Sequence, residues 1–235
     1  VHAFNLIQTE KLFAFLQPIG LSRPTPAAIT EAAAAETGRR KALDLMQAAV
    51  GISLSGATAF RWRNAGRVMA AGEHARLIGA ALSDSLESPP DGVRLGLVGS
   101  PVASVSTYDM LETFGPVVCD LQPWGRVWPG PGNTGRDLDE ILVATASDAS
   151  CPRITPTTAH RAAMVEALVG ARCDLVVCQL AQTDDTFGWE IPGLAADLAA
   201  RGIAFVNLGF RDAEPDAAWR ERAATLIANA LEAAK

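Results

Sequence analysis

Cys173–Phe210, CDLVVCQLAQTDDTFGWEIPGLAADLAARGIAFVNLGF, decides the fold, because it reads as one complete strand–loop–helix–strand unit. Asp174–Leu180 and Ile203–Leu208 are short apolar runs rich in Val and Ile, the pattern of parallel strands covered on both faces. Between them Ile191, Leu194 and Leu198 recur at helical spacing, and Arg201-Gly202 supplies a stop. Parallel crossovers are right-handed in nearly all cases, so the loop Ala181–Glu190 is expected at the carboxyl edge of the sheet. That edge is where open α/β sheets bind ligands.

Upstream of this unit the same alternation repeats. Val93–Gly99 reads as a strand, Ser104–Phe114 as a helix and Pro116–Leu121 as a second strand. A long Gly/Pro-rich loop, Gln122–Thr134, leads to a helix from about Gly135 to Ser147. Thr155-Pro156 caps another helix that runs to about Ala171, and Pro215–Ala234 closes the chain as an amphipathic helix. Residues 91–235 are therefore expected to form a Rossmann/flavodoxin-like α/β domain with a four-stranded parallel doubly wound sheet. Residues 1–90 read as an all-helical, linker-like region. It comprises Phe4–Leu16, a long helix opened by Thr25-Pro26, a break at Ser53–Gly56, and helices around Ala57–Met69 and Gly72–Leu86. With no strand of its own, that region must pack on something else.

The 235 residues, 49% hydrophobic and 20% charged, have the composition of an ordinary globular protein. The formal net charge of −6, with Arg39-Arg40-Lys41 as the one run of three basic residues, argues against nucleic acid as a partner. That run is read as a solvated helix face. No apolar stretch reaches the ~20 residues that span a bilayer, and the N-terminus has no basic-then-apolar leader. A cytoplasmic location is expected. The chain begins at Val1 already in a helical pattern, consistent with a missing upstream segment. The four cysteines form no Cys-x-x-Cys pair and have no histidine at zinc-finger spacing. Cys119 and Cys178 fall in strands and Cys173 at a helix end, where packing explains them. Cys151 stands in a loop before Pro152, away from any apolar run. His2, His74 and His160 are scattered over helices and read as surface or half-buried residues.

Three places carry candidate chemistry. Gly99-Ser100-Pro101 is a small-residue turn after a strand, able to line a cleft or bring backbone N–H groups to a phosphate. It lacks the Gly-x-Gly-x-x-Gly pattern and a P-loop lysine. The loop Trp124–Gly132 offers two tryptophans and Arg126, as a wall over an anionic ligand or a seal on a subunit contact. The loops bearing Cys151 and Thr183-Asp184-Asp185 bring a thiol and carboxylates to the carboxyl edge, a donor set that could ligate a metal or cluster. Ser100, Arg126, Gln179 and Thr183 are thus the candidate cleft residues, and Cys151 and Asp184 the candidate ligands.

A series of short pieces, in order, resembles the 2-hydroxyacyl-CoA dehydratase / benzoyl-CoA reductase subunit family. They are Ile52-Ser53-Leu54-Ser55-Gly56, Gly99-Ser100-Pro101, Glu112-Thr113-Phe114-Gly115 before Val117-Val118, Gly125-Arg126, Cys151-Pro152-Arg153, Asp174-Leu175-Val176-Val177, Trp189-Glu190-Ile191-Pro192 and Gly202-Ile203. The resemblance covers roughly the last three-quarters of the chain. It implies a two-lobed α/β subunit that pairs with a homologous second subunit, as hetero- or homodimer. It further implies an iron–sulfur (4Fe-4S) cluster held by cysteines, an ATP-dependent activator protein that supplies one low-potential electron, and an acyl-CoA substrate. The reaction would be radical dehydration or aryl-ring reduction. Cys151 stands where one cluster cysteine is expected, whereas the position six residues before Glu190 carries Asp184 in place of a cysteine. The amino-terminal lobe of the family is reduced or absent, so this chain matches the carboxyl-terminal lobe and the helices before it.

Three readings follow. The chain is a subunit, or part of one, of such an iron–sulfur complex, working beside a partner that carries the full cluster. Alternatively it is a cluster-free binding or scaffolding subunit of the same fold. The third reading is an unrelated α/β enzyme of nucleotides or phosphate esters.

Overall fold

A computed structural model describes residues 2–84, 88–125, 137–146 and 157–233. The amino-terminal third is helical, as its lack of alternating apolar runs requires. Its elements are α1 (His2–Leu16), a 3-10 turn at Gln17–Ile19, α2 (Pro26–Ala49), α3 (Gly56–Ala65) and α4 (Ala71–Asp84). Thr25 caps α2 by accepting the Ala28 N–H at 3.2 Å, with Pro26 in the first turn where a missing N–H costs nothing. Ser55 caps α3 in the same way, through the Thr58 N–H at 3.1 Å.

The α/β part follows as β1 (Leu95–Gly99), α5 (Ser106–Leu111), β2 (Val117–Asp120), α6 (Leu138–Ala146), α7 (Thr157–Gly170), β3 (Leu175–Ala181), α8 (Asp185–Gly188), α9 (Ile191–Ala199), β4 (Ala204–Arg211) and α10 (Ala217–Ala233). The four strands form one all-parallel sheet in the order β2-β1-β3-β4. The expected loop Ala181–Glu190 contains one addition, the short helix α8, because Asp184 turns inward and caps Phe187 N–H at 3.2 Å.

Three apolar clusters hold this together. On one face of the sheet Leu95, Leu97, Leu175, Val177, Val206 and Leu208 pack under α5 and α10, with Ala57 and Phe60 of α3 inserted among them. On the other face Val98, Val176, Cys178 and Leu180 pack under α7 and α9. The alternation along each strand is the two-residue period of a sheet covered on both sides. The third cluster, built on Met46, Val50, Leu54 and Ile78, joins α2, α3 and α4. The helical section is therefore tied to the sheet through α3.

Two side-chain expectations are corrected. His74 and His160 are buried, not surface or half-buried, and His74 Nε2 lies 2.8 Å from the Trp62 carbonyl. Within the basic run, Arg39 is half-buried and donates to the Gly66 carbonyl at 3.4 Å, so it serves the helical packing as well as solvent.

Candidate functional site

The chain leaves β1 toward α5 on one face of the sheet and leaves β3 toward α9 on the other. Because β1 and β3 are neighbours and their loops leave toward opposite faces, Ser100 and Ala181–Asp184 meet at the carboxyl edge of the sheet, between the two strands. In a sheet of this strand order, that is the switch point at which ligands bind.

This switch point is fixed by one polar network. At Gly99 the backbone has φ +107°, and an added Cβ would lie 2.0 Å from the Gln179 carbonyl, so only glycine permits this approach. That approach lets the Ser100 N–H donate to the Gln179 carbonyl at 3.0 Å. Ser100 Oγ then donates to Asp184 Oδ2 at 2.6 Å and accepts the Ala181 N–H at 2.8 Å. The Gln179 side chain donates to the Ser100 carbonyl and accepts from Arg211 Nε. Arg211 also donates to the carbonyls of Pro101, Asp212 and Ala213. All of these acceptors are neutral, and burial lowers the guanidinium pKa with no carboxylate raising it. A buried cation whose hydrogen bonds all go to neutral oxygens therefore lies at this edge of the sheet. Such a group favours a negative ligand above it.

A second polar cluster closes the β2 side. Asp120, at the carboxyl end of β2, accepts from the Tyr108 hydroxyl and from Arg63 NH1 at 3.3 Å. Gln122 donates to Tyr108 at 3.0 Å, and its Oε1 accepts the N–H groups of Val102 and Trp124, each at 3.0 Å. Burial pushes the Asp120 carboxyl upward against the lowering pull of Arg63, and burial together with the Asp120 charge pushes the Tyr108 hydroxyl well upward. Gly125 approaches Asp120 so closely that a Cβ would lie 1.8 Å from its Oδ2. The start of the Trp124 loop is held further by Asn64, which donates to the Trp124 carbonyl at 3.1 Å, and by the Arg67 guanidinium 5.4 Å from the Trp124 ring centre.

Of the residues expected from sequence, the structure gathers Ser100, Gln179, Thr183 and Asp184 at the carboxyl edge between β1 and β3. Thr183 is exposed there, whereas Ser100 and Gln179 are fully buried. Arg126 and Cys151 lie outside the described residues. Sequence spacing does not single out Arg211, Asp120, Tyr108, Gln122 or Arg63. The available signal for two of them was position: Asp120 and Arg211 are the first charged residues after apolar strand runs, at the edge where parallel sheets bind.

The donors needed for an iron–sulfur cluster can be tested directly. Each oxygen of Asp184 accepts a hydrogen bond, one from Ser100 Oγ and one from the Phe187 N–H. Cys119, Cys173 and Cys178 are buried in apolar packing, and burial pushes the Cys178 thiol up to about 12. A thiol of that kind stays protonated near neutral pH, while thiolate is the form that binds iron. Among the described residues no group of three or more His, Cys, Asp or Glu stands together as a metal site. The described residues therefore do not fit such a cluster. Nor is any helix among them long and apolar enough to cross a membrane.

Comparison with known families gives a match to the family model described as 2-hydroxyglutaryl-CoA dehydratase, D-component, over residues 3–232. No curated protein sequence matches the chain.

Proposed function

Because the chain belongs to the 2-hydroxyglutaryl-CoA dehydratase D-component family, we propose that it is the acyl-CoA-binding component of a 2-hydroxyacyl-CoA dehydratase-type complex. The observation that carries this reading is the β1/β3 switch point with the buried Arg211 guanidinium tied to it through Gln179. An acyl-CoA thioester is an anion through its phosphates, and a cation bonded only to neutral oxygens favours it without being neutralised beforehand. Ser100, Gln179 and Asp184 hold this edge, and the exposed Thr183 offers a hydroxyl to the ligand.

On this reading the iron–sulfur cluster of the complex sits on a homologous partner subunit, with Cys151 the one candidate ligand from this chain. Asp184 acts as a structural hub rather than as an iron ligand. The ATP-dependent activator would meet the complex at the cluster-bearing subunit. Dehydration, the chemistry that names the family, is favoured over ring reduction, and the setting is the cytoplasm.

Calorimetric titration of the chain with 2-hydroxyglutaryl-CoA tests the reading. Saturable binding is expected, weakened by Arg211→Met and, with the fold untouched, by Thr183→Ala. No heat of binding from the thioester or from free CoA would overturn it. Iron content after anaerobic purification with the partner subunit tests the ligand assignment. Cys151→Ala should lower it, while Asp184→Asn should leave it unchanged.

A further inference from the structure

At the amino edge of the sheet, opposite the edge of Ser100 and Asp184, helices α7 and α9 end side by side before β3 and β4. Each helix closes with the same two backbone bonds. After α7, the Cys173 N–H donates to the Leu168 carbonyl at 3.1 Å and the Arg172 N–H to the Val169 carbonyl at 2.9 Å. After α9, the Ile203 N–H donates to the Leu198 carbonyl at 3.1 Å and the Gly202 N–H to the Ala199 carbonyl at 3.0 Å. This double closure needs one residue in the left-handed region, where glycine is at ease. The end of α9 has Gly202, at φ +70°, whereas the end of α7 has Arg172, at φ 54°. Arg172 is the one residue other than glycine with a positive φ among the described residues. A side chain there crowds the following carbonyl, so backbone stability does not account for an arginine.

Nor does packing account for it. Arg172 is exposed, and its guanidinium makes no hydrogen bond or ion pair among the described residues. The end of α7 already has a cation, because the Arg94 guanidinium donates to the Ala171 carbonyl at 2.9 Å and to the Arg172 carbonyl at 3.1 Å. Between the two helix ends lies an open cleft of about 310 Å³, lined by Val169, Arg172, Cys173, Asp174, Arg201 and Ile203. Arg201 pairs with Glu166 at 2.6 Å in solvent, a contact of the weak, exchangeable kind. Asp174 Oδ2 is engaged by the Arg94 N–H at 2.8 Å. Arg94, Arg172 and Arg201 against Glu166 and Asp174 leave this end positive, in a chain whose net charge is −6.

We propose that this cleft is an anion site that takes a phosphate dianion, free or as the head of a phosphate monoester, between Arg172 and Arg201. A terminal phosphate has three strong acceptor oxygens, and a guanidinium fork matches two of them at a time. The left-handed turn sets a cation on the α7 side of the cleft, where its twin at Gly202 sets none. The seven residues of β3, at ~3.3 Å each, put the site roughly 20 Å from the Ser100–Asp184 contact. It therefore stands apart from acyl-CoA binding at the carboxyl edge.

Titration of the isotopically labelled full chain with sodium phosphate, read from amide and arginine Nε–H resonances, tests the site against sodium chloride at equal ionic strength. Saturable shifts are expected at residues 172–174 and 201–203 with phosphate and not with chloride. Arg172→Gly and Arg201→Ala should each weaken phosphate binding by about tenfold or more. Arg172→Gly should also match or exceed the wild-type Tm, since glycine relieves the turn. Glycerol 3-phosphate as a second probe separates the two sources. Binding tighter than that of inorganic phosphate assigns a monoester, and equal or weaker binding assigns the free ion. A wild-type chain without saturable shifts at these residues, or either variant binding phosphate as tightly as wild type, would overturn the proposal. So would a lower Tm in Arg172→Gly, because Arg172 would then be kept for the fold.

Discussion

Cys178 shows how a single side chain can be chemically silent inside a sheet. Its thiol is pushed up to about 12, first by burial and then by the charge of Asp184. The folded state therefore keeps a proton that the unfolded chain begins to lose near the ordinary thiol value of 9.0. A group raised in this way contributes stability that is complete below the unfolded pKa and is lost as pH climbs through the folded one. The window here is pH 9 to 12, with a slope of about 1.4 kcal/mol per unit. Urea unfolding at successive pH values should show Cys178→Ala losing stability less steeply than wild type above pH 9. Parallel alkaline limbs in the two proteins would contradict the assignment. Ser100 is the opposite case, since its hydroxyl both donates and accepts at the carboxyl edge. Ser100→Ala leaves the Ala181 N–H and one Asp184 oxygen without that partner, at a cost of about 1–3 kcal/mol. Thr183→Ala, at an exposed position, should stay within about 0.5 kcal/mol of wild type. The sequence made Ser100 legible through its small-residue turn, and Asp184 through its place in the loop. Their contact joins residues 84 positions apart, and no local pattern carries that information.

At the scale of elements, the seam between helices and sheet explains why several of the resemblance pieces stand where they do. Glu112, just past the end of α5, accepts the Gly56 N–H at 2.6 Å and the Ala57 N–H at 3.2 Å at the start of α3. The same carboxylate accepts the Val117 N–H at 3.3 Å. One acid thus satisfies free donors at a helix N-terminus, where negative charge is favoured, and pins the start of β2 to it. Glu112→Ala should cost about 2–4 kcal/mol in urea unfolding, given charge-assisted bonds of ~1.5–3 kcal/mol each that do not add fully. Glu112→Gln should cost less because its amide oxygen still accepts. The Arg63–Asp120 pair makes a second rivet across the same seam, extended by the Arg63 bond to Gln47 at 3.2 Å. Periodicity located α3, α5 and β2 within a few residues. It could not report the seam, because a capping carboxylate from another element leaves no trace in either element's own spacing. The short helix α8 escaped notice for a related reason. Four residues are too few to show a period, and the cap that sets the turn, Asp184, was read for its chemistry.

For the molecule as a whole, the question is whether the helical section is an appendage or part of the fold. Composition and pattern separate residues 1–90 from 91–235, and among the described residues no strand precedes β1. The packing cuts across it. Phe60 of α3 stacks on Tyr108 of α5 with ring centres 4.6 Å apart, and Ala57 and Phe60 sit in the same cluster as Leu95, Leu97 and Trp219. Removing the helical section would uncover that cluster and leave Asp120 buried without the Arg63 cation. Removing one partner of a buried pair costs about 3–5 kcal/mol, a large part of the ~5–15 kcal/mol that holds a domain together. The full chain should therefore unfold in one transition, with circular dichroism and tryptophan fluorescence coincident. Residues 91–235 expressed alone should retain helical signal yet bind ANS and unfold over a broad range, as a collapsed state without fixed packing does. A sharp, independent transition in that fragment would show that the sheet builds its core unaided, and that Phe60 is a passenger on it.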